Sequence, residues 1–168
     1  QKFRNIADIE LVMPNGGAWK WAEAICGLVG TLTEELVDAD AMAKDSKTEI
    51  RVLSAILKQY QQLLTDENLI DFAKIQTECY RLLKENPAIL SDLQEKIHYL
   101  MIDEYQDTNY IQEQIIFMLG EKHGNICVVG DDDQGLYRFR GATIRNILEF
   151  PHKFKDGACK IIPLTVNY

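Results

Sequence analysis

Residues 100–109 read LMIDEYQDTN, and residues 128–142 read VVGDDDQGLYRFRGA. In each segment a short apolar run ends abruptly in carboxylates, and the second segment adds a glutamine and an alternation of aromatic and arginine side chains. Continuously apolar runs of this length are typical of strands in a parallel sheet that is covered on both faces. Open sheets of this kind bind ligands beyond the carboxyl ends of their strands. The two segments therefore predict a ligand site at one edge of a sheet.

The pattern around these segments alternates between strands and helices. Strands are predicted at residues 99–102, 126–129 and 160–164, and helices from Asn109 to about Leu119 and over residues 141–150. Asn109 followed by Gln112 is the spacing of a capping box. The order strand, helix, strand, loop, helix, strand predicts an α/β fold with a parallel sheet.

The N-terminal part is predicted to be helical. The segment Pro14-Asn15-Gly16-Gly17 breaks the chain, and Pro87 suits the first turn of a later helix. We expect a domain boundary near residues 65–70. The apolar stripes that predict two of the helices are Ile50, Leu53, Leu57, Tyr60 and Leu64, and then Phe72, Ile75, Cys79 and Leu82.

Composition is that of a globular protein, with 46% hydrophobic and 26% charged residues. The formal net charge of −8 argues against a free-standing DNA-binding domain. Charge is uneven, however, because residues 136–155 carry several basic side chains and one acidic one, Glu149. The basic residues of this stretch are Arg138, Arg140, Arg145, Lys153 and Lys155.

The four cysteines form no C-x-x-C pair, which disfavours a zinc site or a disulfide framework. Cys127 lies inside an apolar run and is expected to be a small buried hydrophobic residue. No apolar run is long enough to span a membrane and no signal peptide is present, so a cytoplasmic protein is expected.

The two acidic segments resemble the second and third motifs of the UvrD/Rep/PcrA-type superfamily 1 DNA helicases. Asn167-Tyr168 is similar to the start of their fourth motif, whose arginine this chain does not include. The resemblance covers residues 69–168, whereas residues 1–68 are similar only in being helical. Gly135 and Leu136 stand where the family usually has Ser and Ile, and Phe139 where many members have Trp.

This resemblance implies a partial RecA-like P-loop NTPase sheet preceded by an all-helical segment. Residues 1–68 would be a helical, insertion-like segment, and residues 69–168 the C-terminal part of the first RecA-like motor domain. The implied activity is that of an ATP-dependent DNA helicase, which couples Mg-ATP hydrolysis to translocation on single-stranded DNA. The expected cofactors are therefore ATP and Mg²⁺.

The acidic pair Asp103-Glu104 has a specific chemistry at a strand end. A carboxylate there can hold Mg²⁺, which prefers oxygen ligands, and its neighbour can deprotonate the water that attacks the γ-phosphate. The resemblance assigns Mg²⁺ to Asp103 and the base to Glu104; without it, a strand end and a solvated side chain would suffice. Asp107 is expected to cap the next helix or to tie the loop to the second motif, and Tyr105 and Gln106 are interpreted as loop packing.

Gln134 follows the second predicted strand. Its amide can hydrogen-bond a phosphate oxygen and a neighbouring side chain, and the resemblance makes it the sensor of the γ-phosphate. Asp131, Asp132 and Asp133 are too close together to act jointly as ligands, so at most one is expected to face the nucleotide.

The run Tyr137-Arg138-Phe139-Arg140 alternates rings and cations. Aromatic side chains stack on bases and arginines contact phosphates, although the same pattern also occurs in packed cores. The resemblance identifies Tyr137 and Phe139 as contacts to single-stranded DNA, and Arg140 as a contact to the DNA or a link between motifs. It also identifies Tyr168 as the residue that stacks on adenine.

The 168 residues contain no G-x-x-x-x-G-K-[ST] segment, the loop that cradles nucleotide phosphates. The chain is therefore interpreted as an internal piece of a larger helicase, inactive without the remainder of that protein. Two alternatives stay open: a metal-dependent phosphohydrolase using Asp103, Glu104 and residues 131–133 as a two-metal site, and a non-catalytic interaction domain. The first would bind Mn²⁺ stoichiometrically and turn over phosphate esters.

Overall fold

The chain divides into two units, Gln1–Pro87 and Ala88–Tyr168. The structure is a computed structural model, and it describes residues 2–13, 15–131, 144–155 and 157–164. The predicted boundary at residues 68/69 precedes the division between these units by about one helix. The predicted boundary separates an insertion-like segment from a motor-domain segment, whereas the observed division separates two packed units. The predicted boundary is therefore not tested by this division and stays a prediction.

The secondary-structure elements of the first unit are all helices within its described residues. Its elements are two 3-10 helices, Lys2–Asn5 and Ile9–Leu11, followed by α1 (Ala18–Glu34), α2 (Ala39–Met42), α3 (Thr48–Asp66) and α4 (Phe72–Glu85). Helix α1 packs against α3 and α4, and α2 packs against α3. Asp71 starts α4 by accepting a hydrogen bond from the Lys74 N–H at 2.7 Å.

A small apolar core holds the first unit together. It is formed by Ile9, Met13, Ile25, Val29, Val52, Ile56 and Leu57. The predicted stripe of α3 is confirmed at Leu57 and Leu64, which are buried. The predicted stripe of α4 was wrong in its orientation, because Phe72 is 85% exposed whereas Ala73 and Leu83 are buried.

The second unit is α/β. Its elements are α5 (Pro87–Lys96), β1 (Leu100–Ile102), a 3-10 helix (Tyr105–Asp107), α6 (Tyr110–Gly120), β2 (Ile126–Val128), α7 (Ile144–Glu149) and a second 3-10 helix (Phe150–Lys153). The two strands pair in parallel, with Leu100 opposite Ile126 and Ile102 opposite Val128. Helix α5 begins at Pro87 and α6 is capped by Asn109 and Gln112, as the sequence predicts.

Helix α6 covers one face of this sheet. Gly120 lies so close to it that an added Cβ would come within 2.6 Å of Ile126 Cγ1 and 3.3 Å of Leu100 Cδ1. On the opposite face, Met101 is 80% exposed and Cys127 is also exposed. The expectation that the strands are covered on both faces, with Cys127 buried, is therefore wrong for the described part of the chain.

A third strand was predicted at residues 160–164, and the structure corrects this prediction. The segment has no strand pairing, and Ile161, Ile162 and Leu164 are 66–84% exposed. An apolar run becomes a strand only where a neighbouring strand accepts its backbone hydrogen bonds, and no described strand pairs with this one. None of the described helices is both long and apolar enough to cross a lipid bilayer.

Candidate functional site

The described parts of the two acidic segments, residues 100–109 and 128–131, meet at one edge of the two-stranded sheet. Beyond the last paired residues, the Val129 N–H donates to the Ile102 carbonyl at 2.8 Å, and the Tyr105 N–H donates to the Val129 carbonyl at 2.9 Å. The two segments therefore remain hydrogen-bonded to each other after both strands end. This pairing brings Asp103 and Glu104 to the same edge as Gly130 and Asp131.

Asp103 and Glu104 are both exposed, so a ligand can reach both carboxylates. Asp103 Oδ1 accepts a hydrogen bond from the Glu104 N–H at 2.9 Å. Glu104 has a left-handed backbone, with φ 50° and ψ 43°. Such a conformation costs a non-glycine residue on the order of 1 kcal/mol or more, and it is found preferentially at functional sites. Here it turns the chain from β1 into the 3-10 helix Tyr105–Asp107.

Gln106 joins the two halves of this edge. Its Nε2 donates to Glu104 Oε2 at 2.6 Å, and its Oε1 accepts from the Asp131 N–H at 3.0 Å. The side chain is 1% exposed. The interpretation of Gln106 as mere packing missed these two bonds, and the only signal for them in the sequence was a glutamine set among carboxylates.

Tyr105 attaches the turn after β1 to helix α6. It is fully buried, and its hydroxyl donates to Glu113 Oε1 on α6 at 2.9 Å. Lys153 forms an ion pair with the other oxygen of Glu113. Burial, and secondly the charge of Glu113, raises the pKa of the Tyr105 phenol above its usual range. Tyr105 also meets Phe150 edge to face, with ring centroids 5.2 Å apart.

Thr108 and Asn109 fix the end of the same turn. Thr108 Oγ1 donates to the Tyr105 carbonyl at 2.6 Å, and Asn146 Nδ2 on α7 donates to the Thr108 carbonyl at 3.1 Å. Asn109 caps α6 through the Gln112 N–H at 2.9 Å. The expected capping role of Asp107 is therefore wrong. Asp107 Oδ1 is buried and finds no hydrogen-bond partner among the described residues.

Several predicted site residues lie outside the described residues, and their assignments stay predictions. They are Gln134, Tyr137, Phe139, Arg140 and Tyr168, together with Asp132 and Asp133 of the acidic run. Within the described ranges, no three His, Cys, Asp or Glu side chains are grouped so that they could hold a metal ion. Of the two-metal site considered above, the structure thus describes Asp103, Glu104 and Asp131 only.

Comparison with protein families gives one match over most of the chain. The sequence model of the UvrD/REP helicase N-terminal domain matches residues 4–155. This range covers most of both units and includes both acidic segments.

Curated relatives agree with this match. The chain is 40% identical over 134 residues to a protein named "Probable DNA helicase II homolog" from Rickettsia felis, covering 79% of the chain and 20% of that protein. It is 34% identical over 146 residues to "ATP-dependent DNA helicase PcrA" from Bacillus subtilis, covering 86% of the chain and 20% of the relative. The chain thus spans about one fifth of the length of the curated relatives it matches.

Proposed function

Because the chain belongs to the UvrD/REP helicase family, we propose that it is part of the first, RecA-like motor domain of an ATP-dependent DNA helicase. The whole protein would couple hydrolysis of Mg-ATP to movement along single-stranded DNA. Residues 69–168 would contribute the later strands of the motor domain, and residues 1–68 a helical segment inserted before them.

The observation that carries this proposal is the parallel pairing of β1 with β2. Parallel strands end at the same sheet edge, and in open α/β sheets that edge is where ligands bind. Asp103 and Glu104 follow β1, and Gly130 and Asp131 follow β2, joined through the bond from Asp131 to Gln106 at 3.0 Å. A triphosphate bound there would meet groups from both strands.

The acidic pair divides the chemistry between its members. Asp103 is an exposed carboxylate at a strand end, which fits Mg²⁺ because this ion is usually held by one or two carboxylates, with waters and phosphate oxygens completing its shell. When bound, Mg²⁺ would neutralise charge on the phosphate oxygens. Glu104 would accept the proton of the attacking water, and its hydrogen bond from Gln106 leaves Oε1 available for that role.

The remaining roles rest on the sequence motifs. Gln134 would contact the γ-phosphate and report its loss, and Tyr168 would stack on the adenine ring. Tyr137 and Phe139 would stack on bases of single-stranded DNA, with Arg140 contacting its backbone. A salt-dependent affinity for single strands is expected, since arginine–phosphate contacts release counterions.

The decisive experiment measures ATP turnover by the full-length protein with Glu104→Gln. A glutamine keeps the size of the side chain but cannot take a proton, so turnover should fall by about 100-fold or more. ATP binding, measured with a fluorescent nucleotide, should change little. Glu121→Gln, which removes an exposed carboxylate after α6, should leave both quantities unchanged.

Retained turnover in Glu104→Gln would remove this residue from its proposed role. Equal losses in Glu104→Gln and Glu121→Gln would point to a general loss of charge rather than to a missing base. Either result would contradict the proposed division of chemistry at the sheet edge.

A further inference from the structure

Gln106 uses both ends of its side-chain amide inside the protein. Nε2 donates to the carboxylate of Glu104 at 2.6 Å, and Oε1 accepts from the backbone N–H of Asp131 at 3.0 Å. One neighbour can only donate and the other, when ionised, can only accept, so the orientation of the amide is fixed by its partners. The side chain thus has a single orientation in which both partners are satisfied.

The glycine at position 130 leaves space at the sheet edge for the side-chain amide of Gln106. A Cβ at this position would collide with Gln106 Oε1, and it would also lie 2.7 Å from Ile147 Cδ1 and 3.3 Å from the Tyr105 nitrogen. Only a residue without a side chain lets the backbone after β2 approach the amide so closely. The backbone at Gly130 and Asp131 therefore packs directly against the side chain of Gln106.

Glu104 itself has few constraints from elsewhere. It is exposed, its backbone is left-handed, and Gln106 is the side chain that holds its carboxylate. Without that bond the carboxylate could turn among several rotamers. A base that is displaced by about 1 Å loses up to about 100-fold in rate, because proton transfer depends on its orientation.

We infer that Gln106 is a positioning residue, which holds the Glu104 carboxylate in register with the segment that follows β2. The inference rests on the proposed function, since it presumes that Glu104 is the base. Gln106 does not touch the reacting atoms. Its effect passes through one hydrogen bond to Glu104, while its other bond ties that carboxylate to the backbone of Asp131, which follows β2.

Two substitutions in the full-length protein separate positioning from simple packing. Gln106→Glu keeps an oxygen to accept from the Asp131 N–H but replaces the donor to Glu104 by a second carboxylate. Gln106→Met keeps the approximate length and removes both bonds. In each variant we expect kcat for ATP, and the single-turnover rate of hydrolysis, to fall by about 10- to 100-fold, with KM changed less than about threefold.

Gln94→Met is the matched control. Gln94 also donates through Nε2, to the Met118 carbonyl at 2.7 Å, and lies in the same unit. This variant loses a similar hydrogen bond at a distance from the acidic pair, so its kcat should match that of the unaltered protein. Thermal unfolding of all three variants shows which of them fold.

The outcomes are distinct. A lower kcat at constant KM in the folded variants supports the inference, and unaltered kcat in Gln106→Glu overturns it. A loss of kcat that merely parallels a loss of thermal stability, or that Gln94→Met reproduces, also overturns it. Should Gln106→Glu not fold, Gln106→Met decides by the same criteria. If instead Glu104→Gln keeps its turnover, the proposed function fails, whatever the Gln106 variants do.

Discussion

At the scale of single residues, the buried charge of Glu113 is compensated by two donors. Glu113 is fully buried, Tyr105 donates to one of its oxygens, and Lys153 pairs with the other. Lys153 also lies over the Phe117 ring, 5.4 Å from its centroid. A buried carboxylate is tolerated only when its hydrogen bonds are satisfied. The network therefore ties the acidic turn, residues 103–107, to α6 and to the segment after α7.

Removing the phenol from this network should destabilise the second unit. Tyr105→Phe leaves Glu113 Oε1 without its 2.9 Å donor, and a lost hydrogen bond to a buried charged group costs about 1–3 kcal/mol. Amide hydrogen exchange in α6 should accelerate correspondingly. Tyr99→Phe is the control, because Tyr99 is 77% exposed. Equal protection of the α6 amides from hydrogen exchange in the two variants would contradict the proposed role of the Tyr105 hydroxyl in holding the turn against α6.

Two tyrosines should make the chain sensitive to alkaline pH. Burial and the hydrogen bond to Asp71 raise the pKa of Tyr60, and burial with the charge of Glu113 raises the pKa of Tyr105. A pKa that is higher in the folded state gives stability that is complete below the unfolded pKa of about 10 and is lost as the pH rises through the folded value.

We therefore expect the free energy of unfolding in urea to fall between about pH 9 and pH 12. The double variant Tyr60→Phe, Tyr105→Phe should lose less stability over the same interval, because it has no phenol to ionise at these positions. An identical decline in both proteins would exclude the two tyrosines as its cause.

At the scale of elements, local signals predicted more than long-range ones. The start of α5 at Pro87 and the cap of α6 at Asn109 depend on neighbouring residues, and both predictions are confirmed. Strands β1 and β2 follow from apolar runs bounded by polar residues. The predictions of a buried stripe on α4 and of a strand at residues 160–164 were wrong. Burial and strand pairing depend on which other element lies alongside.

The contact between α6 and the sheet can be tested with one substitution made at two positions. Gly120→Ala would place a Cβ within 2.6 Å of Ile126, so it should destabilise the protein by about 1–3 kcal/mol through overpacking. Gly27→Ala lies inside α1 with nothing within 4 Å of the added Cβ, and should stabilise by about 0.5–1 kcal/mol.

Urea unfolding of the two variants compares these effects directly. We expect the free energy of unfolding to fall in Gly120→Ala and to rise in Gly27→Ala, although the chemical change is the same. A neutral Gly120→Ala would mean that α6 can move away from the sheet without cost, and that its packing does not fix the position of the acidic turn.

At the scale of the whole molecule, an exposed apolar sheet face accompanies the site. Met101 is 80% exposed and Tyr99 is 77% exposed. Together with Ile161 and Ile162 they line a cavity of about 930 Å³. Large exposed apolar patches promote association. The 168-residue chain alone should therefore self-associate as its concentration rises.

Sedimentation velocity tests this expectation. Met101→Lys should reduce self-association, because a charge on the sheet face opposes burial of that face. Trp19→Lys, at a side chain that is 84% exposed in the first unit, is the control and should have a smaller effect. Monomeric behaviour of the unaltered chain at all concentrations would show that the sheet face does not drive association.

The candidate site was predictable only in part, for reasons that belong to the whole fold. That Asp103 and Glu104 come to the sheet edge beside Asp131 follows from two apolar runs ending in carboxylates. The bridging role of Gln106 does not, since it depends on the parallel register and on the close approach at Gly130. No sequence spacing encodes a contact between residues 25 positions apart until the register of the strands is known.

We propose that the acidic pair after β1 and the segment after β2 surround the terminal phosphate of a bound ATP. A crystal structure of the full-length protein with Mg²⁺ and a non-hydrolysable ATP analogue measures this most directly. We expect Asp103 to lie beside the metal. The Glu104 carboxylate should lie about 3 Å from the oxygen of a water molecule that faces the γ-phosphate. A nucleotide bound elsewhere, or Glu104 turned away from the phosphate with its bond to Gln106 intact, would contradict it.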